Sequence, residues 1–415
     1  MKLILSHPTG NNFSRAIANK FVQEDMLYAF YTSIASFPGD YLNKLQTIPF
    51  LSEIQRRNFE LSLRPYTHTL PWFEIGRIIS QKFGLSNFTR NEYGMFSVDA
   101  VYKNLDKKVA AELKHATKYG IGGVYAYEDG ALATFTQAQA LKLKRIYDLP
   151  IAYWETGRKI MIEEAGRLPA WASTLGGGIL NSNAKLERKT QELELADMVV
   201  VPSQFVMNSL PEWTKDKKIV MAPFGTPSIN NTSIVSEVKK QINKPLRVLF
   251  AGSMSQRKGL GDLFAAFKIL QSDQIELVVL GEPQAPMEFY RKEYNNFIYE
   301  PVRPNYKVLE LMRTCDIFCL PSIVEGRALV MQEAMSQGLP LIITPNTGGE
   351  DLVIENETGF IVPIRSPEAI AEKLEWFIKN HTLIPEMSNM VKLHSQKYTW
   401  ENYGNQIANA INELI

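Results

Sequence analysis

Leu246-Arg-Val-Leu-Phe-Ala-Gly-Ser-Met-Ser-Gln-Arg-Lys-Gly-Leu260 begins as a short apolar run and breaks at Gly252 into a polar, basic turn. The run 246–251 reads as a buried strand. Beyond the turn, Asp262 is placed to cap a helix in which Leu263, Phe267 and Leu270 recur at three- and four-residue spacing. The same alternation continues downstream, with strand signals at 275–280, 316–320, 340–344 and 359–362 and helical patterns between them. Near-continuous apolar runs separated by helices fit a parallel sheet covered on both faces, a doubly wound α/β domain.

The first half follows the same grammar less regularly. Strand signals stand at 2–6, 122–126, 144–149, 197–201 and 219–221. Between Phe37 and Asp106 the pattern breaks into mixed proline, aromatic and basic residues, as in Leu63-Arg-Pro-Tyr-Thr-His-Thr-Leu-Pro-Trp-Phe73. At 415 residues the chain exceeds one ordinary core. The expected fold is α/β, with two Rossmann-like doubly wound parallel-sheet domains facing across a cleft. The first domain is read over 1–225, with an irregular helical insert at 37–106; a linker follows at 226–245, a second domain at 246–385 and a helical tail at 386–415. The tail sets Tyr403, Ile407, Ile411 and Leu414 on one helical stripe, and the first domain is its expected seat.

Lys+Arg 45 against Asp+Glu 44 leaves a net charge of +1, so no overall field points to nucleic acid as a partner. No run reaches the roughly eighteen consecutive apolar residues of a membrane span. Met1-Lys-Leu-Ile-Leu-Ser6 is far short of the apolar core of a signal peptide. Cys315 and Cys319 fall in a strand-like run and read as buried, inert thiols, with neither the number nor the spacing of a metal site. A cytoplasmic protein is expected.

Parallel sheets present ligand sites at the carboxyl ends of their strands, and a ligand between two such domains touches loops from both. In the turn 252–259, glycines allow close backbone approach and a helix amino terminus favours an anion. Arg257 and Lys258 add two positive charges, which suits a diphosphate. The turn lacks the Gly-Lys-Ser/Thr ending of a P-loop, so nucleoside triphosphate hydrolysis is disfavoured. The plain alternative is a solvated turn with two surface cations. After another strand, Pro321-Ser-Ile-Val-Glu-Gly-Arg-Ala-Leu-Val-Met-Gln-Glu333 carries Glu325 and Glu333. On one unbroken helix these carboxylates would stand about 12 Å apart at ~1.5 Å per residue, too far for an acid/base pair. A turn holding Glu325-Gly326, then a helix from near Ala328, fits better. Glu325 then reaches into the cleft, and Glu333 accepts the hydroxyls of a vicinal diol such as a ribose. A helix-start acid plus a surface acid is the competing reading. In the first domain, Tyr125-Ala-Tyr-Glu-Asp-Gly130 ends a strand and opens a helix. Glu128 or Asp129 is placed to orient or deprotonate an acceptor hydroxyl, or simply to cap that helix. His7-Pro-Thr-Gly-Asn-Asn-Phe13 closes the first strand, with Gly10 its expected contact to donor phosphate or acceptor.

Pro321-Ser322, Glu325-Gly326, Glu333-Ala-Met335, Gly338-Leu-Pro340, Thr347-Gly-Gly349 and Thr358-Gly359 together resemble the signature of family 4 glycosyltransferases of the GT-B fold. That family's paired glutamates have seven residues between them, as Glu325 and Glu333 do, and Lys258-Gly259 resembles its phosphate-binding loop. The resemblance covers most of 246–363 and extends weakly to 7–10, 222–225 and Trp400. It implies retaining transfer of a sugar from a nucleotide-diphosphate sugar to a hydroxyl of a glycan or lipid-linked saccharide, in cell-surface polysaccharide or glycolipid synthesis. Neither a metal nor a resident cofactor is implied. Carried over residue by residue, Glu333 would bind the ribose and Glu325 would sit by the donor sugar. Arg257 and Lys258, beside Gly252, would neutralise the leaving diphosphate, and Val302 would lie by the base.

The chain also departs from that pattern. Ser253 stands where many relatives carry an arginine directly after the loop glycine, and Arg257 comes later. Arg327 and Ala328 replace a common aromatic and glycine, which makes Arg327 either a third phosphate or donor-sugar contact or a solvent-facing arginine. Ile146-Tyr-Asp-Leu-Pro150 offers no histidine, so acceptor activation does not carry over from the family, and Glu128 and Asp129 are the candidates the first domain offers for it. A donor-binding or scaffold protein of the same fold without turnover is the rival from another class; intact Lys258, Glu325 and Glu333 argue against it. Lys44, Arg56, Arg57, Arg64, Trp72 and Phe73 give an expectation of peripheral contact with the inner face of a membrane, set against a buried insert covering the acceptor cleft.

Overall fold

A computed structural model describes residues 1–40, 57–227 and 244–414. Two parallel sheets organise it. The first contains β1 (Lys2–Ser6), β2 (Leu27–Thr32), β3 (Thr67–Thr69), β4 (Ile121–Tyr127), β5 (Lys144–Asp148), β6 (Met198–Val201) and β7 (Lys218–Met221). Its order is β3-β2-β1-β4-β5-β6-β7. The second contains β8 (Leu246–Ala251), β9 (Ile275–Leu280), β10 (Phe297–Glu300), β11 (Ile317–Leu320), β12 (Leu341–Ile343) and β13 (Gly359–Ile361), in the order β10-β9-β8-β11-β12-β13. Both sheets start at a central strand, build outward, then jump back across it. The strand order therefore reverses between β1 and β4 and between β8 and β11. At those points the connecting helices leave in opposite directions and open a crevice beyond the carboxyl ends of the strands.

Burial explains the strand signals. Every residue of β6, β11 and β12 is buried, as expected of strands covered on both faces. Two strands were not legible in advance. The run Leu27-Tyr-Ala-Phe-Tyr-Thr32 forms β2, and the short edge strand β3 lies inside the stretch expected to be irregular helix. The insert does supply helices, at Pro71–Lys82 and Val98–Glu112. Of the expected linker, only residues 226, 227, 244 and 245 are among those described.

Two corrections concern ends of elements. Asp262 is not a cap: the helix is Leu260–Leu270, Gly259 occupies the capping position at φ +75°, and Asp262 accepts hydrogen bonds from Arg167 and Gln256. Gly259 has no substitute there, because a Cβ would stand 1.9 Å from the Pro321 carbonyl oxygen. The second domain also runs past 385. The helix Ile384–Ser395 buries Ile384, Met387 and Val391 in that domain's core.

The chain then returns to the first domain. The crossing segments are tied together where Thr226 N–H donates to the Tyr398 carbonyl at 2.8 Å. The last helix, Trp400–Asn412, buries Tyr403, Ile407 and Ile411 among Leu3, Leu5 and Phe21. The stripe read from the sequence is its contact face. Conversely, Trp171 of the first domain's segment Pro169–Thr174 is buried in the second domain's core, with its ring against Phe264, Phe289 and Tyr290. Each domain thus holds a piece of the other's chain.

Under the returning helix, Asp148 at the end of β5 is buried. It accepts a 2.5 Å hydrogen bond from the Tyr125 hydroxyl and faces Tyr127 and Tyr403. Burial pushes its carboxyl up from 3.8 to about 7, against the hydrogen bonds. The unfolded chain ionises this group above 3.8, but the folded one only above about 7. Its burial therefore costs increasing stability as pH rises through that window, and a constant amount above it. Asp148→Asn removes the cost. The variant's unfolding midpoint, relative to the unsubstituted chain, should climb between pH 3.8 and about 7 and then level off; a pH-independent difference would contradict the assignment.

Candidate functional site

The second sheet's crevice lies between the turns that follow β8 and β11. After β8 the chain passes Gly252 and forms a short 3-10 turn, Gln256–Lys258. After β11 it forms the turn carrying Glu325 and Gly326, and the helix Leu329–Ser336 follows. The turns are stitched together, because the Arg257 carbonyl accepts from Ile323 N at 2.9 Å and Val324 N at 3.3 Å. Lys258 Nζ pairs directly with Glu325, and Arg257 Nη1 reaches the same oxygen, Oε2, at 3.2 Å. The Lys258 stem runs alongside Gly252, where a side chain would meet it.

This cluster is largely withdrawn from water, with 12% and 15% of the Lys258 and Glu325 side chains exposed. Burial pushes the Lys258 ammonium below its ordinary value, with Glu325 opposing it. The Glu325 carboxyl is pushed up by burial, but Lys258 and Arg257 outweigh that and hold it below the usual carboxylate value. The site therefore holds two adjacent cations, partly neutralised by one carboxylate, at the point where an α/β sheet opens to a ligand.

Glu333 lies one helix further on. Its carboxylate accepts from Asn305 Nδ2 at 2.7 Å, and burial pushes its pKa up against that bond. Asn305 starts the helix after the loop that carries Val302, which is half exposed beyond β10. One hydrogen bond thus brings together Glu333 and the Val302 loop, both expected at the nucleoside end. Arg327 has a place foreseen by neither sequence reading. It is buried, bidentate to Asp351 at 2.7 and 3.0 Å, bonded to the Gly348 carbonyl and stacked over Tyr398. It braces the glutamate turn against the chain's return segment.

The first domain closes the crevice at very short range. A Cβ on Gly326 would stand 1.7 Å from the Pro150 carbonyl oxygen, so the backbones of the two domains touch beside Glu325. Ser203 Oγ donates to the Gly326 carbonyl at 2.6 Å. In the β1 turn, the His7 ring takes up two backbone amides: Nδ1 accepts from Thr9 N at 3.1 Å and Gly10 N at 3.0 Å. Burial, then the Arg57 charge, pushes His7 down to about 3 and keeps it neutral. The Gly10 amide is thus already engaged, and the Phe59 ring fills the space where a Cβ on Gly10 would stand. Glu128 and Asp129 sit at the end of β4, at the first sheet's own reversal point. The helix Asn183–Leu195 supplies their partners: Lys189 pairs with Glu128 at 2.9 Å, and Arg188 with Asp129 at 2.9 Å. Asp129 spends both oxygens on cations, whereas Glu128 Oε1 is buried with no hydrogen-bond partner among the described residues. Among the described residues, no ion pair joins either acid to Lys258 or Glu325.

The residue that sequence reading missed is Gln256. It is fully buried next to the two cations, and all its polar atoms are used. Its side-chain amide donates to Glu164 at 2.7 Å and Asp262 at 2.8 Å, its Oε1 accepts from Gly261 N, and its N–H donates to Thr174 Oγ1. Glu164, on the first-domain helix Trp154–Arg167, also receives Arg167 at 2.6 Å and Arg365 at 2.8 Å. The signal was a neutral amide inside a basic turn, which pattern alone cannot distinguish from a surface residue. Glu164→Ala would strip Arg167, Arg365 and Gln256 of their shared acceptor. The cations retain 30% and 24% exposure, so the loss of stability should fall near the low end for a broken buried pair, about 3 kcal/mol by urea unfolding. A loss below ~1 kcal/mol, the value of a surface pair, would contradict this role.

Residues 233–397 match the family model described as "Glycosyl transferases group 1". The capsular polysaccharide biosynthesis glycosyltransferase CapM of Staphylococcus aureus is 27% identical over 186 residues, 41% of this chain and 48% of that one. The chain thus spans about half the length of this curated relative. Among solved structures, sucrose-phosphate synthase from Thermosynechococcus elongatus superposes with a TM-score of 0.63 at 17% identity, covering 100% of this chain and 99% of that one. Anabaena HepE, solved in complex with UDP and glucose, superposes with a TM-score of 0.59 at 15% identity over the whole of both chains. The fold is that of the GT-B glycosyltransferases.

Proposed function

From the match of residues 233–397 to group 1 glycosyltransferases, we propose that the chain transfers a sugar, with retention of configuration, from a nucleotide-diphosphate sugar to a saccharide hydroxyl in polysaccharide synthesis. The observation that carries the reading is the buried Lys258–Arg257–Glu325 cluster at the strand-order reversal of the second sheet. Lys258 and Arg257 face the diphosphate of the donor. As the glycosidic bond breaks, negative charge grows on the leaving phosphate, so fixed cations there stabilise the transition state more than the bound donor. Glu325 keeps both cations charged and aimed before the donor arrives, and stands beside the sugar afterwards. Two adjacent cations supply the neutralising charge, so the reading requires no metal ion.

Glu333 accepts the ribose hydroxyls in place of Asn305, and the Val302 loop borders the base. UDP bound to a relative of the same fold makes a uridine nucleotide the first candidate. On the acceptor side, Glu128 is the carboxyl with an oxygen still available to take a proton, and burial pushes its pKa up, against Lys189. CapM's role in capsular polysaccharide biosynthesis supports a saccharide acceptor for this chain as well.

Calorimetric titration of the purified chain with uridine, guanosine and adenosine diphosphates, in the presence of a chelator, tests the reading. One nucleotide should bind, and Glu333→Ala should weaken it by roughly tenfold or more, the loss of a hydrogen bond to a charged group. Lys258→Ala should lower turnover with the matching donor sugar more than it lowers affinity. Absence of binding by all three nucleotides would overturn the proposal.

A further inference from the structure

The first helix, Asn12–Gln23, packs against the last, Trp400–Asn412. They touch at Gly404, where a Cβ would stand 2.9 Å from the Lys20 Cβ. Beside this contact the two helices and Glu60 border a groove of about 410 Å³, within the roughly 300–1,000 Å³ of small-ligand sites. The groove follows one face of the first helix from Asn12 to Gln23, about 16 Å at ~1.5 Å per residue. Its Asn12 end adjoins the β1 turn, at the first sheet's reversal point, so it begins near the crevice and leads away from it. Trp400 forms part of its wall. That ring covers Gly225, where a Cβ would stand 2.6 Å from it, and remains half-buried.

The polar groups of the lining select the ligand. Its two cations are already committed: Arg15 bonds to Asn12 Oδ1 and the Asn58 carbonyl and lies over the Phe59 ring, and Lys20 pairs with Glu24 at 2.6 Å. The carboxylates of Glu60 and Glu401 make no ion pair among the described residues. A phosphate or another anion would therefore meet two free acids and no free cation. Unspent donors stand between those acceptors: Asn12 Nδ2, Asn19 Nδ2, the Gln23 amide and the Trp400 indole N–H have no hydrogen-bond partner among the described residues. Mixed free donors and acceptors around an indole ring match a neutral polyhydroxyl compound. Each hydroxyl both donates and accepts, and the C–H face of a sugar ring packs on an aromatic surface. The last helix continues the pattern. Between Thr399 and Asn412 its sole charged residue is Glu401, while exposed Asn402, Gln406 and Asn409 share one stripe. Asparagine is a weak helix former, so helix stability does not account for these amides. We propose that the groove is a second saccharide site, holding a neutral stretch of the acceptor chain against Trp400 outside the crevice. The identity of that occupant rests on the saccharide-acceptor reading above.

Titration of the full chain with a panel of neutral α- and β-linked hexasaccharides of glucose, galactose, mannose and xylose, followed by saturation-transfer NMR, tests it, with dextran sulfate as the anionic control. At least one neutral hexasaccharide should bind, and dextran sulfate should not compete. Asn19→Ala/Gln23→Ala, which removes two exposed amides, should weaken binding about tenfold while leaving any nucleotide binding unchanged. Trp400→Phe, which keeps a ring against Gly225 but loses the indole N–H, should weaken it about fivefold. Nucleotide binding without binding of any hexasaccharide would overturn this proposal and leave the donor reading standing; hexasaccharide binding without nucleotide binding would do the reverse. Binding insensitive to both variants, or a preference for the sulfated probe, would also overturn it.

Discussion

One buried carboxylate, Glu164, sets the relation between the two halves of the molecule. It belongs to the first domain, yet it is the shared acceptor for Gln256 and Arg365 of the second, as well as for Arg167 of its own helix. A buried charge is tolerable only when its partners are complete, so the three groups must stay where they are. Because Gln256 immediately precedes Arg257 and Lys258, this requirement also shapes the turn that presents the two cations. The interdomain seat and the candidate anion site are thus parts of one polar network, with Trp171 supplying the apolar share of the same joint.

The rest of the site follows from topology. Parallel sheets need crossover connections, and where strand order reverses the crossovers part and leave backbone ends unroofed. Here the unroofed turns contribute Lys258 on one side and Glu325 on the other, and the first domain presses against Gly326 to limit the opening. The two crossing segments add a second tie between the domains through Thr226 and Tyr398, reinforced where Gln332, on the helix that carries Glu333, donates to the Phe224 carbonyl. A ligand spanning the crevice would contact elements that are already mechanically joined.

Much of this was legible in the sequence because the signals were local and repeated. Apolar runs alternating with helices imply parallel sheets, and the tail's stripe of Tyr403, Ile407 and Ile411 foretold a contact face. Lys258, Glu325 and Glu333 stood out by their spacing and their place after strands. What escaped were relations between distant segments. Nothing local announces that Gln256 bridges to Glu164, that Arg327 will be consumed by Asp351, or that Lys189 and Arg188 will claim the acids at the end of β4. β2 was passed over because five apolar and aromatic residues in a row, 27–31, carry no period to tell strand from buried helix. Of the basic insert residues, Lys44 and Arg56 lie outside the described residues, and Arg57 is a buried structural partner of Glu74, not a surface cation.

The central claim is that the turns after β8 and β11 form the diphosphate site. Amide hydrogen exchange with and without the nucleoside diphosphate that binds tests it most directly, since it locates the ligand without presuming any residue's role. The account predicts new protection concentrated in 252–260 and 322–333, with the first domain's β1 turn changing little because His7 already holds its amides. Protection centred on 7–12, with the two second-domain turns unaffected, would contradict it.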